Sequence, residues 1–196
     1  PSFDLEGFVD LVMRDLQDLG LSGRAWAITD AMWHFLPKNY KEVAKIFRKN
    51  FGSELHSDRM EGMQGFYYMP FGNYVAKYGL DHFNISMDLI REITIRFTSE
   101  FSVRPFLEKY PKRTLEVLNK WIIDPNVHVR RLVSEGSRPR LPWAPRLLEF
   151  QKDPSPVIEL LEQLKEDREL YVRRSVANNL NDIGKDHPDL VLDLLT

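Results

Sequence analysis

At 196 residues and 43% hydrophobic content, the chain has enough apolar material for one domain with a sizeable core. It contains no cysteine, which excludes disulfides, iron–sulfur clusters and thiolate metal sites. No apolar run approaches the ~18 residues of a membrane span, and no N-terminal stretch reads as a signal peptide. The formal net charge of −2 argues against a generic nucleic-acid binder but hides a split: residues 96–146 carry eleven Lys/Arg against five Asp/Glu, a net of +6, and the remainder nets −8. A basic face on an acidic body can track a phosphate backbone while the rest of the surface stays soluble.

In chain order, FDLEGFVDLVMRDLQDLG places Phe8, Leu11, Val12, Leu16 and Leu19 at helical spacing and stops at Gly20. Ser22 is placed to cap a second helix, which carries Trp26, Ile28, Met32, Trp33 and Leu36 and ends at Pro37. A third runs from about Lys41 to Asn50, with Gly52 as its stop. The stretch from Gly62 to Gly72 is aromatic and broken by glycine, and predicts a turn and a short helix before YVAKYG. Nothing alternates as a strand would, so β content is expected near zero.

From Ser86 the pattern becomes regular. Leu89, Ile90, Ile93 and Phe97 mark a buried helical face, and Arg96, Glu100 and Arg104 fall at i, i+4 and i+8 on another. KYPKRTLEVL, KDPSPVIELL and KDHPDLVLDLL each set a proline (Pro111, Pro154, Pro188) ahead of an apolar helix, at spacings of 43 and 34 residues. The nine extra residues of the first interval fall to the RPRLPWAPR loop. Asp124 matches Asp167, Val129 matches Val172, and Arg130-Arg131 match Arg173-Arg174, each 43 residues on. One helix pair cannot bury its apolar face alone, so this period predicts an all-α fold: a curved, right-handed α-solenoid of HEAT-like repeats. Asp124–Pro125 and Asp153–Pro154 read as N-cap and N1 pairs. One domain is expected over residues 1–196, with a less regular helical part over 1–85 and regular repeats carrying the site over 86–196.

In the helix that follows Asp124, Val129, Leu132, Val133 and Gly136 form the apolar stripe, which leaves His128, Arg131 and Glu135 on an exposed one. Tyr171, Arg174, Asn178 and Asp182 hold the matching stripe in the next copy. Side by side, the two helices would set Arg131 next to Arg174 and Glu135 near Asp182. With Glu100 on the preceding pair, three carboxylates would face an otherwise basic surface. Each acid repels DNA, so the arrangement suits a surface that must stabilise a cation. The plainer reading of Arg131 with Glu135, or of Arg96 with Glu100 and Arg104, is a solvated pair worth roughly a few tenths of a kcal/mol. For Asn178, Asn179 and Asn181 it is buried contact between repeats, and for Trp143, between two prolines, a loop anchor packed on the next helix. The five histidines lack metal-ligand spacing, and HExxH, P-loop and GxSxG patterns are absent, so no metal or cofactor is expected.

TSEFSVRPF, VRRLVSEGSRPRLPWAPRL and YVRRSVANNLNDIGKDHPDL closely resemble the AlkC-type DNA alkylation repair glycosylases, within the wider AlkC/AlkD superfamily of HEAT-like repeats. The resemblance is strong from about Thr98 to Leu190, and FLPKNYKEVAKIF and FYYMPFGNYVAKYG resemble the family's less distinctive N-terminal half. It implies removal of N-alkylated bases, typically 3-methyladenine, from double-stranded DNA by hydrolysis of the N-glycosidic bond. Glu100, Glu135 and Asp182 are then the catalytic acids; Arg130, Arg131, Arg138, Arg140, Trp143, Arg173, Arg174 and Asn178 are the DNA contacts. Alkylated duplex DNA would be the partner of a monomer in a bacterial-type cytoplasm, without membrane, metal or cofactor. The family also implies an additional N-terminal helix, further helical repeats and, in some members, an immunoglobulin-like domain. With Pro1 at one end and Leu194-Leu195-Thr196 inside a periodic pattern at the other, the chain is read as a fragment.

Alkylation leaves the base cationic and already a good leaving group, so carboxylates would act on the oxocarbenium-like sugar and on the attacking water. The resemblance further implies that such an enzyme need not flip the base into a pocket, and no pocket is evident in the sequence. Two further readings of the same face are a non-catalytic HEAT-like nucleic-acid binder and a protein-interaction scaffold for an acidic partner. The acids argue against the first, and the clustered arginines against the second.

Overall fold

The computed structural model describes residues 3–14, 16–55 and 64–195. Among the described residues there are twelve α-helices and no strand: α1 (Leu5–Met13), α2 (Leu21–Phe35), α3 (Tyr40–Asn50), α4 (Met69–Tyr78), α5 (Phe83–Thr94), α6 (Glu100–Lys109), α7 (Pro111–Trp121), α8 (Val127–Gly136), α9 (Leu148–Lys152), α10 (Ser155–Leu164), α11 (Leu170–Gly184) and α12 (Pro188–Leu195). No helix among them is long and apolar enough to cross a membrane. The Gly62 end of the glycine-broken stretch lies outside the described residues; its remainder is a 3-10 turn (Gln64–Tyr68) running into α4.

The helices stack as a solenoid should. α2, α4, α6, α8 and α11 lie side by side in one row, α5, α7 and α10 pack behind it, and α12 closes against α11. Between the rows runs one continuous apolar core. Leu89, Ile90 and Ile93 are fully buried as their spacing predicts, and such residues each stabilise by about 1.5–3 kcal/mol. In the first half the core is aromatic: Phe47 meets Phe71 and Tyr74 edge-on, with ring centroids 4.8 and 5.2 Å away.

Helix ends are where the sequence expectations fail. α5 stops at Thr94 and α6 starts at Glu100, so Arg96 does not share a helical stripe with Glu100 and Arg104. Arg96 sits in the intervening turn and donates to the Gly52 and Glu92 carbonyls, both at 2.7 Å. Thr98 and Ser99 occupy that turn, as residues that compete for backbone hydrogen bonds do. Asp124 is not the cap of α8: Asn126 takes that place and accepts from the His128 amide at 2.9 Å. Gly20, not Ser22, stands at the N-cap of α2, and α1 ends at Met13 rather than running on to Gly20.

Asp124 and Asp167 instead shape the same turn in successive repeats, each accepting from the backbone amide two residues on at 2.9 Å. Each also receives a two-bond arginine fork, Asp124 from Arg91 (2.7 and 3.1 Å) and Asp167 from Arg130 (2.6 and 3.1 Å).

Candidate functional site

Glu100 opens α6, Glu135 lies in the last turn of α8, and Asp182 lies in the last turn of α11. These are three successive helices of one row, so stacking brings together residues far apart in sequence. Gly136 permits the approach of α6 to α8: a Cβ there would stand 2.6 Å from Val103 Cγ1 and 3.9 Å from the Glu100 Cα. Asn179, fully buried on α11, fixes the other joint by donating to the Ser134 carbonyl at 2.7 Å and to Ser137 Oγ at 3.3 Å.

Arg138 joins two of the acids, with Nη1 2.7 Å from Glu135 Oε1 and Nε 2.8 Å from Asp182 Oδ2. Lys185 Nζ holds the other Asp182 oxygen at 3.0 Å, and the buried Ser175 hydroxyl donates to Glu135 Oε2 at 2.6 Å. Arg131 stands between Glu135 and the third acid, 3.6 Å from Glu135 Oε2 and 3.8 Å from Glu100 Oε2. Its guanidinium lies 5.1 Å from the centre of the Tyr171 ring, and the Thr98 hydroxyl donates to Glu100 Oε2. Burial pushes the Glu100 carboxyl above the ordinary carboxylate range, against the opposing pull of Arg131. The cluster is a tight alternation of three carboxylates and three cations.

Several sequence expectations need correction. His128 and Glu135 are not on an exposed stripe: their accessibilities are 4% and 6%, because α6 and α11 flank α8 on both sides. Arg130 is not available to phosphate, being 5% exposed and locked to Asp167 and to the Asp124 and Pro125 carbonyls. Arg173 spends one guanidinium nitrogen on the Asp167 and Arg168 carbonyls, at 2.6 and 3.1 Å. Arg138 is a clamp within the acidic cluster, and Arg140 is paired with Asp186, which Gln151 also holds. Arg174 and Asn178 face solvent, whereas Asn179 alone of the three asparagines is buried.

The loop after α8 is held from beneath. Arg104, 4% exposed, donates to the carbonyls of Gly136 (3.2 Å), Arg138 (2.8 Å) and Pro145, and burial lowers its pKa to about 10. Above it Trp143 is 97% exposed, in the left-handed backbone region at φ 62°. The packed-anchor reading of Trp143 is therefore overturned: a non-glycine residue at positive φ costs roughly 1–2 kcal/mol, yet the indole touches little of the protein.

A cleft of about 880 Å³, which was not evident in the sequence, lies between α2, α4, α6 and this loop. Trp26, Tyr68, Phe101 and Trp143 supply aromatic wall, and Glu100 lines it as well. Sequence reasoning missed the cleft, because its walls come from four distant segments. It also missed Ser175, Thr98, Lys185 and Arg104.

A model of the family described as DNA alkylation repair enzyme matches residues 89–196. The uncharacterized protein YhaZ of Bacillus subtilis (strain 168) is 42% identical over 192 residues, covering 97% of this chain and 51% of its own length. Among solved structures, Pseudomonas fluorescens alkylpurine DNA glycosylase AlkC, bound to DNA containing an abasic site analog, matches with a TM-score of 0.86 and 40% identity, over 99% of this chain and 52% of that one. AlkD2 from Streptococcus mutans matches with a TM-score of 0.57 at 24% identity, over 96% of this chain and 88% of its own, and shows the fold alone. The chain spans about half the length of the first two proteins.

Proposed function

The chain belongs to the DNA alkylation repair enzyme family, and on that premise we propose that it carries the catalytic site of a DNA glycosylase. Its substrates are N-alkylated, cationic bases such as 3-methyladenine in duplex DNA, which it removes by hydrolysis of the N-glycosidic bond. It acts as a monomer, in the cytoplasm of a bacterial-type cell. The observation that carries this reading is the set of three buried carboxylates, Glu100, Glu135 and Asp182, gathered from three successive helices. A phosphate-binding surface gains nothing from buried acids, whereas a reaction that develops positive charge on a sugar does.

In this mechanism the alkylated base leaves as a neutral molecule and needs little protonation. As the bond lengthens, the deoxyribose takes on oxocarbenium character, and the carboxylates stabilise it without reorganising, since most of their oxygens are already fixed by Arg138, Ser175, Lys185 and Thr98. Glu135 and Asp182 orient the attacking water, and one takes its proton. Arg174 and the exposed Trp143 hold the DNA, the first at a phosphate and the second against the bases. Arg131, 19% exposed at its side chain, is shared between phosphate and acids. AlkC is similar in fold and sequence and is itself an alkylpurine DNA glycosylase, which supports the assignment. Incubation with methylated duplex DNA, followed by chromatography of the supernatant, should show free 3-methyladenine; intact DNA after complete binding would refute the activity.

A further inference from the structure

Arg104 is a buried cation that the mechanism above does not use. At 4% exposure it has given up nearly all its hydration, which is costly for any charge. Arg91 and Arg130 offset that cost with two-bond forks to Asp124 and Asp167. Arg104 instead spends its guanidinium on backbone: Nη1 donates to the carbonyls of Gly136 at 3.2 Å and Arg138 at 2.8 Å, and Nη2 to that of Pro145. These carbonyls belong to the two feet of the loop after α8. Gly136 closes α8, whose last carbonyls lack helical partners and carry partial negative charge. Pro145 stands at the far foot, so one side chain holds the loop shut. Arg138 is the member that reaches the acids. Its carbonyl accepts from Arg104, while its own guanidinium joins Glu135 at 2.7 Å to Asp182 at 2.8 Å. Both acids lie in the last turn of a helix, where the dipole disfavours a carboxylate, so their spacing depends on the cation between them.

We propose that Arg104 is a positioning residue for base release: by clasping both feet of the loop it sets Arg138 between Glu135 and Asp182, and so fixes the two carboxylates that orient water. The proposal rests on the glycosylase reading above and adds to it a residue that acts through Arg138. The shape of the guanidinium matters as well as its charge. A lysine ammonium is a point donor on a flexible stem and cannot span the carbonyls of Gly136, Arg138 and Pro145 together. Loss of the clasp frees the Arg138 backbone, and the two acids drift from the spacing that the reaction needs. The α6 that carries Arg104 also opens with Glu100, so one helix places the third acid and steadies the other two.

The test is single-turnover release of 3-methyladenine from methylated duplex DNA by the whole chain with Arg104→Lys, Arg104→Gln or Arg104→Ala. Folding is checked by circular dichroism, and DNA affinity is measured on the same samples. A merely structural role would lower the amplitude, as fewer molecules fold, and leave the rate constant of the folded ones unchanged. Positioning lowers the rate constant itself, by about tenfold to a hundredfold, with a much smaller change in affinity. Arg104→Lys should be impaired although it keeps the charge. Arg104 lines the cleft, so its truncation opens the vacated site to solvent. Guanidinium at a non-denaturing concentration should then restore the rate of Arg104→Ala, and methylammonium should not. An unchanged rate constant in the folded variants, full activity in Arg104→Lys, equal rescue by both cations or rescue by neither would overturn the proposal. Failure of all three variants to fold would do so too, leaving Arg104 a structural residue. Release by the parent protein with any of these results overturns this inference alone, whereas no release by the parent refutes the glycosylase reading and the inference with it.

Discussion

Arg130 and Arg174 come from the same repeated dipeptide, yet the fold gives them opposite work. Arg130 is buried in a fork with Asp167, and its loss would strand a buried carboxylate, which costs about 3–5 kcal/mol. Arg130→Ala should therefore lower the melting temperature steeply. Arg174→Ala should leave it nearly unchanged, but reduce the slope of log affinity for DNA against log salt by about one. The repeat was legible in the sequence, but not which arginine faced water, because Asp167 reaches Arg130 only through the stacking of repeats. Glu100 offers a second test at this scale. Burial raises its folded pKa above the unfolded value, so the native state binds the extra proton, and stability falls as pH rises through the folded pKa. Glu100→Gln escapes that loss. Its melting temperature should gain on the parent protein as pH rises from below the usual carboxylate range to neutrality, and a constant difference would mean that Glu100 is not desolvated.

At the scale of elements, the apolar stripes and the proline-led helices of the 43-residue period could be read directly, since side-chain spacing alone decides them. Helix ends could not, because they depend on tertiary partners: Asp124 resembles a cap but is drawn to Arg91. Close approach was equally hidden. Gly136 reads as one more residue of a stripe, whereas its missing side chain is what lets α6 reach α8. Gly136→Ala should cost roughly 1–3 kcal/mol of stability by overpacking, and should slow base release by moving Glu100 away from Glu135. Unchanged melting and rate would show that Val103 can give way. The loop after α8 is rigid below and bare above, with Arg104 holding its carbonyls and Trp143 in solvent. Trp143→Ala should weaken DNA binding and leave thermal stability intact; the reverse outcome would restore a packing role.

Across the whole molecule, the site exists only because repeats stack. Glu100, Glu135 and Asp182 lie on α6, α8 and α11, and no single helix pair contains more than one of them. The all-α repeat architecture was legible from periodicity, and Glu135 and Asp182 stood out by their matching places in successive copies of the repeat. The cations that bind those acids to one another were not, because Arg138 meets Asp182 across 44 residues of chain. A cluster so tightly paired needs a decisive test of whether it does chemistry or only holds helices together. That test is single-turnover release of 3-methyladenine from methylated duplex DNA by Glu135→Gln, Asp182→Asn and the double variant, with DNA affinity measured on the same samples. If the carboxylates stabilise an oxocarbenium-like transition state, each loss should cost about 2–4 kcal/mol, roughly a hundredfold or more in rate, while affinity stays equal or rises. Full activity in both single variants and in the double variant would contradict the catalytic assignment and leave a DNA-binding scaffold in its place.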